Sequence, residues 1–260
     1  MKATTLNHNQ HLTFLQRVSL YGIETKYEWL KTIRNKSFAL PALLFPLMFY
    51  LFFGVIFSHD NVHASTYLLC TYGVFGVMGP ALFSFGAGLA IERGQGWQDL
   101  KAASPMPAGA QLFARVSVCS GFSLIIALCL SVLASSLAGV NLSLIQWVSI
   151  VIIWVVGGLP FCLLGLTLGL LLKADSAPAI INAVYLPMAF LSGLWMPLTL
   201  LPDFIRPISL ALPPYHLAQL ALKIVKLDDG LNVGLHVIVL LAYVVLFFAL
   251  AVFVMNKKAR

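Results

Sequence analysis

Residues 65–109 read STYLLCTYGVFGVMGPALFSFGAGLAIERGQGWQDLKAASPMPAG. The first 27 of them, 65–91, carry no charge at all, which is more than the roughly 20 residues a helix needs to cross a bilayer. Within the next ten positions stand Glu92, Arg93, Asp99 and Lys101, with Gly94 and Gly96 ahead of Trp97 and two prolines, Pro105 and Pro107, closing the segment. Another long apolar run follows at 110–139, broken by Arg115 near its start. The stretch therefore reads as one membrane span, a short charged helix outside the bilayer, and the start of a second span.

The rest of the chain repeats the apolar half of this pattern. Of 260 residues, 60% are hydrophobic and 10% charged, against about 45–50% and roughly 25% in soluble domains. Runs without Asp, Glu, Lys or Arg also cover 38–58, 144–172, 177–201 and 233–255. With 65–91 and 110–139 they predict an all-α membrane protein of six transmembrane helices. No cleavable leader is expected, since the first 37 residues are polar to amphipathic and too long for a charged n-region.

Sixteen Lys and Arg against nine Asp and Glu give a net charge of +7. The basic residues are scattered between apolar runs and form no stripe with aromatics, so nucleic acid is not the expected partner. With six spans, thirteen basic residues fall on the side of both termini and three, Arg206, Lys223 and Lys226, on the other. The positive-inside rule then makes the protein multi-pass with both termini cytoplasmic. Cys70, Cys119, Cys129 and Cys162 all lie in apolar runs and read as small packing residues rather than a disulfide framework.

Two segments are neither loop nor span. In residues 19–37, Leu20, Ile23, Tyr27, Leu30 and Ile33 recur at helical spacing while Glu24, Glu28, Lys31 and Lys36 fall mostly elsewhere on the wheel. This predicts an amphipathic helix lying on membrane lipid, with Tyr27, Trp29, Leu30 and Lys31 at the interface; docking on a cytosolic partner would show the same pattern. Region 202–232 is too apolar for a loop, and Pro202, Pro207, Pro213 and Pro214 divide it into pieces of about ten to fourteen residues. Such pieces suit a re-entrant helical hairpin before the last span, shielded by protein, with Arg206, His216 and Lys223 facing outer water or a polar cavity. The chain thus divides into a cytoplasmic N-terminus, 1–37, and a transmembrane domain, 38–260, containing the charged segment 92–109 and the outer region 202–232. Gly165 and Gly169 form a GxxxG, and Gly73, Gly76 and Gly79 are expected to thin one side of the second span for close packing.

Several chemistries are missing. The chain has no GK dipeptide, hence no Walker A loop, so any ATP and its Mg2+ must be held by another chain. It has no HExxH, and His59 and His63, though at helical spacing, sit in a short outer loop with no Glu between them; no metal site is expected. Ser192 and His236 are the only candidates for an intramembrane serine hydrolase, with no glycine-flanked Ser motif and no cluster of oxyanion donors. Catalytic residues are not expected. Apart from Asn182 and His236 the spans lack the mid-membrane polar groups of a proton-driven transporter, which places the energy source outside this chain.

Two stretches resemble the permease subunits of type-2 ABC exporters. ERGQGWQDLKAASPMP is similar to that family's pattern of Glu, a basic residue, a glycine, a leucine and a final Ser/Thr-Pro. FLSGLWMPLTLLPDFIRPISLALPPYHLAQL resembles the family's Ser-Gly, Pro, Leu-Pro and final Pro around the fifth span and outer return, carried here by Ser192, Gly193, Pro197, Pro202, Pro213 and Tyr215. The order of elements agrees over nearly the whole chain. The resemblance implies that 92–109 is a coupling helix docking to a separate ATP-binding cassette subunit that hydrolyses the ATP; Trp97 and Leu100, with Ser104 or Ala103, fall on one side as its anchor, Gly94 and Gly96 let the chain turn, Pro105 stops the helix, and Glu92 and Arg93 join it to the second span. It further implies a second permease copy, most simply a homodimer, in the bacterial cytoplasmic (inner) membrane. Phe83, Asn182 and Met188 are the candidate substrate path for an amphipathic drug, lipid or lipid-linked glycan. The contrasting expectation is a membrane anchor or sensor that transports nothing.

Overall fold

The computed structural model describes residues 13–58, 61–104 and 106–258, all of whose regular elements are helical. In chain order they are α1 (Phe14–Arg34), α2 (Lys36–Ile56), α3 (Val62–Gly94), α4 (Trp97–Ala102), α5 (Gly109–Leu137) and α6 (Leu144–Leu171). There follow α7 (Ala177–Leu191), α8 (Ile205–Ser209), α9 (Pro213–Ile224) and α10 (Val233–Lys257). Five of these, α2, α3, α5, α6 and α10, are long and apolar enough to cross a membrane.

The central element is α3. Its most apolar window is 78% buried inside the chain, against 22% for α2 and 11% for α10, so α3 is the core and the other two lie at the rim. The glycines along it do not thin a single side, as the sequence suggested. Gly73 faces Trp154, Gly76 faces Ile126 and Pro46, and Gly79 approaches Tyr185, so each admits a neighbour from a different helix. The GxxxG of α6 does act as expected. A Cβ at Gly169 would sit 2.5 Å from the Phe85 carbonyl oxygen, and one at Gly165 would sit 2.9 Å from that of Ala81. Two backbones meet there, and only glycine lets them.

Prolines shape α2 and α3 in the same way. Each lacks the N–H that would close the preceding turn, and within about one turn the helix widens to π geometry, at Tyr50–Ile56 after Pro46 and at Phe83–Gly88 after Pro80. Such wide turns are often functional. In α6 the break falls at Gly158, ahead of Pro160, dividing it into Leu144–Gly157 and Leu159–Leu171.

Three differences from the sequence reading matter. The run at 177–201 is not one long helix: α7 has 15 residues, about 22 Å, and a turn then follows in which Gly193 has φ 72°, before a short 3-10 helix, Leu198–Leu200. Region 202–232 does form two short helices, but α8 has only five residues while α9 has twelve. Helix α9 is nearly all buried, packed against α3, α6 and α10. Finally, α1 is pinned along the first half of α5. Tyr21 meets Phe113 edge-on at 5.7 Å, Trp29 stacks on Phe122 at 5.9 Å, and the Trp29 indole N–H donates to Ser117 Oγ. Trp29 thus faces protein, while Ile23, Tyr27 and Ile33 form an uncovered stripe on another side.

Candidate functional site

The end of α3 carries Glu92 and Arg93 beyond the apolar run because a 33-residue helix, about 50 Å long, outreaches a bilayer core of roughly 30 Å. The two side chains part company there. Glu92 accepts from the Arg115 guanidinium, from Lys31 Nζ at 2.5 Å and from the Gln98 amide at 3.3 Å. Lys31 also pairs with Glu28, and Lys101 on α4 pairs with Glu24 on α1 at 2.7 Å. Arg115 is almost fully buried, and its Nη1 donates to the Ser84 carbonyl at 2.7 Å. Three acids, Glu24, Glu28 and Glu92, thus meet three bases, Lys31, Lys101 and Arg115. Balance is required because a buried unpaired charge is strongly unfavourable.

Arg93 turns the other way. Its Nη1 donates to the carbonyls of Gly169 at 2.8 Å and Leu170 at 2.6 Å, which belong to the last turn of α6. Carbonyls there lack helix partners and carry the negative end of the helix dipole, so a cation is favoured. One residue pair therefore ties α3 to α1 and α5 through Glu92, and to α6 through Arg93. Between the charged segment and the turn after α6 lies an opening of about 500 Å³ bordered by Arg93, Gln98 and Lys173.

Past this junction Gly96 has φ 76°, a left-handed conformation that glycine adopts without strain, and the chain turns into α4. Trp97 and Leu100 come out on the same side, 52% and 64% exposed. An exposed Trp beside an exposed Leu on a helix with a fixed base is suited to being covered by another protein. Pro105 lies outside the described residues.

A cavity of about 490 Å³ lies between α1, α3 and the start of α7. Its walls are of two kinds: Phe38, Phe83, Ile91 and Pro178 are apolar, while Lys31, Glu92 and Arg115 belong to the charged junction. Of the expected substrate-path residues it takes in only Phe83. Asn182 is exposed on α7 and Met188 is buried in the main core, so the three are not brought together.

On the opposite side of the bundle the polar groups are mostly uncharged. Tyr67 donates to the Gly193 carbonyl and Tyr72 to that of Trp195, holding the turn that Pro197 continues, with Pro202 exposed just beyond. Pro213 opens α9, and Tyr215 donates to Asp229 Oδ2 at 3.0 Å. Asp228 is a second carboxylate there. The Lys223 ammonium donates to it at 2.8 Å and holds its carboxyl below the usual range. His216 is buried rather than facing water, and contacts His236. Ser192 Oγ is buried without a partner and is not bonded to His236, so no hydrolase pair forms. His59 lies outside the described residues, and among those described no three His, Cys, Asp or Glu side chains gather as for a metal ion.

Arg115, Glu24 and Glu28 were missed as site residues. A signal was present for Arg115, a lone cation in an apolar run, since intramembrane charges seldom lack a role. The acids gave none, because only tertiary packing brings α1 beside α3.

The ABC-2 type transporter family matches residues 20–225, from within α1 to the end of α9. The chain is also 31% identical over 237 residues to a Bacillus subtilis (strain 168) protein described as "Putative transport permease YvfS", covering 89% of this chain and 95% of that one. The family match takes in the charged junction, α4 and the outer turn, and ends ahead of α10. The chain belongs to the ABC-2 type transporter family, as a membrane permease subunit.

Proposed function

We propose that this permease exports an amphipathic molecule, such as a drug, lipid or lipid-linked glycan, across the bacterial cytoplasmic membrane, driven by ATP hydrolysis on a separate ATP-binding cassette subunit. The observation that carries this reading is the contrast within 92–104: Glu92, Arg93 and Lys101 are locked into the bundle, while Trp97 and Leu100 stand free on α4. A partner bound at α4 would move a helix joined by ion pairs to α1 and α5 and by hydrogen bonds to α6. The same short element thus offers a docking face and a lever.

In this reading α7 with its outer turn is the sixth crossing, both termini are cytoplasmic, and α8 and α9 form the outer re-entrant hairpin. The uncovered Ile23, Tyr27 and Ile33 of α1 face lipid. The cavity beside Phe83, mostly apolar with a charged edge at Lys31, Glu92 and Arg115, suits the tail and headgroup of an amphiphile entering from the inner leaflet. Exposed Leu44, Phe45, Phe52 and Phe53 on α2 form the face for a second copy, and ATP with Mg2+ belongs to the partner.

The test is to purify the chain from native membranes and reconstitute it with whatever ATPase copurifies. An exporter shows hydrolysis stimulated by its substrate and export into or out of vesicles. An anchor or sensor binds the ATPase, moves nothing and gives no stimulation. Single cysteines at Asn61 or Asp228 should label from outside, and at Gln98 or Asn256 only after permeabilisation; labelling of Gln98 from outside would remove the coupling argument.

A further inference from the structure

The region around α9 holds a group that transport as proposed does not use. His216 on α9 and His236 on α10 are both buried, and their rings are in direct contact. Proton positions follow from counting. His216 Nε2 lies 2.9 Å from the Leu210 carbonyl oxygen, which can only accept, so Nε2 carries the hydrogen. A neutral imidazole has one N–H, which leaves His216 Nδ1 bare. His236 Nδ1, 2.8 Å away, must therefore donate to it. His236 Nε2 is then a bare nitrogen, buried and without a hydrogen-bond partner.

A third proton has two places to go, and both are unfavourable. On His216 Nδ1 it would set N–H against N–H and break the contact. On His236 Nε2 it would make a buried imidazolium whose new N–H finds no acceptor. The carboxylates that would attract a charge on His236, those of Asp228 and Asp229, are already engaged. On α9, Lys223 is paired with Asp228, and Tyr215 and Gln219 both donate to Asp229. From α8, Arg206 is exposed; from α3, Tyr67 donates to Gly193; from α6, Gln146 donates to the Ile224 carbonyl; on α10, Tyr243 donates to the Ala211 carbonyl. Burial holds the His216 imidazole below its usual value, the hydrogen bond to Leu210 opposing this in part.

We propose that His216 and His236 form an acid-released latch, whose neutral pair holds α9 against α10 and whose protonation frees α9 from the last span. A group that binds its proton less well when folded contributes stability that is complete above the unfolded imidazole value, about 6.5, and declines as pH falls below it. The orientation proposed above decides only that the proton comes from outside the cell. The latch itself is a property of the permease alone, so its test is separate from that of transport.

Hydrogen exchange of residues 210–224, in purified permease in lipid nanodiscs at pH 7.5 and 5.5 and corrected for intrinsic rates, reads the latch. The opening constant should rise by up to about tenfold per imidazole at pH 5.5, with α3 unchanged. His216→Gln and His236→Gln keep a hydrogen-bonding side chain that cannot titrate, and each should remove one imidazole's share of the response. Imidazole nitrogen shifts of the wild type give a readout that needs no variant. They should show hydrogens on His216 Nε2 and His236 Nδ1 at pH 7.5, a pattern the closed form keeps at pH 5.5 because it is the open form that takes the proton. Wild-type exchange that is equal at the two pH values, a response of full size in either Gln variant, or hydrogens placed on other ring nitrogens at pH 7.5 would each overturn the proposal.

Discussion

The two ends of the bundle solve the problem of polar groups at a membrane boundary differently. At the α3–α4 junction, full charges from α1, α3, α4 and α5 are gathered and balanced. Around α9, the contacts that cross to other helices and to the outer turn are neutral, hydroxyl to carbonyl and imidazole to imidazole, while Asp228 and Asp229 are held by side chains of α9 itself. The junction leaves Trp97 and Leu100 uncovered, whereas α9 is almost wholly enclosed. A charged network is strong when complete and intolerant of losing a member, which suits transmission of force between helices. A neutral network separates with less penalty, which suits an element that must shift.

The sharpest way to break this contrast is to delete one charge from the junction. Arg115→Met leaves Glu92 and Glu28 without their buried counter-ion, and removing one partner of a buried pair typically costs about 3–5 kcal/mol. The variant should insert poorly or melt far below wild type in a thermal-shift assay in detergent, and near-normal stability would show that the cluster is solvated. Gly169→Ala comes next. Its Cβ would meet backbone at Phe85 and Gly86, and overpacking at such contacts costs about 1–3 kcal/mol, so melting should fall while ATPase binding per folded molecule stays constant.

Trp97→Ala should spare the fold and weaken the partner. An interface anchor of this kind is worth about 2 kcal/mol, or about 30-fold in ATPase affinity, readable by titrating the ATP-binding subunit onto immobilised permease. Affinity at the wild-type level would mark α4 as an ordinary solvated segment. The smallest effect belongs to the part-buried ion pair at the opposite end. Because Lys223 keeps the Asp228 carboxyl below its usual range, their contact is fully present above about pH 4 and fades as pH falls further. Asp228→Asn should therefore lower stability by under about 1 kcal/mol at neutral pH, with the difference shrinking in acid or high salt.

The sequence was most informative where a property is local. Long runs without charge at 65–91, 144–172 and 233–255 became long helices, because an apolar segment of that length has few alternatives to satisfying its own backbone in a bilayer. Gly165 and Gly169 foretold a close approach, since a missing side chain leaves room whatever the partner. Trp97 and Leu100 share a side of α4 because they stand three positions apart.

What only the tertiary structure decided is which side each element presents and what meets it there. Periodicity marked an apolar stripe on α1, yet Trp29 turned into α5 and Glu28 and Lys31 turned to Glu92 and Arg115. Nothing near residue 28 in sequence announces a partner at 115. His216 and His236 stand twenty positions apart on different helices, and their contact exists only because α9 folds back beneath the last span. Helix formation follows from hydrophobicity and backbone hydrogen bonding within one segment. Pairing of buried charges and imidazoles depends on distances between segments, set by how small residues such as Gly73 and Gly169 let the helices close.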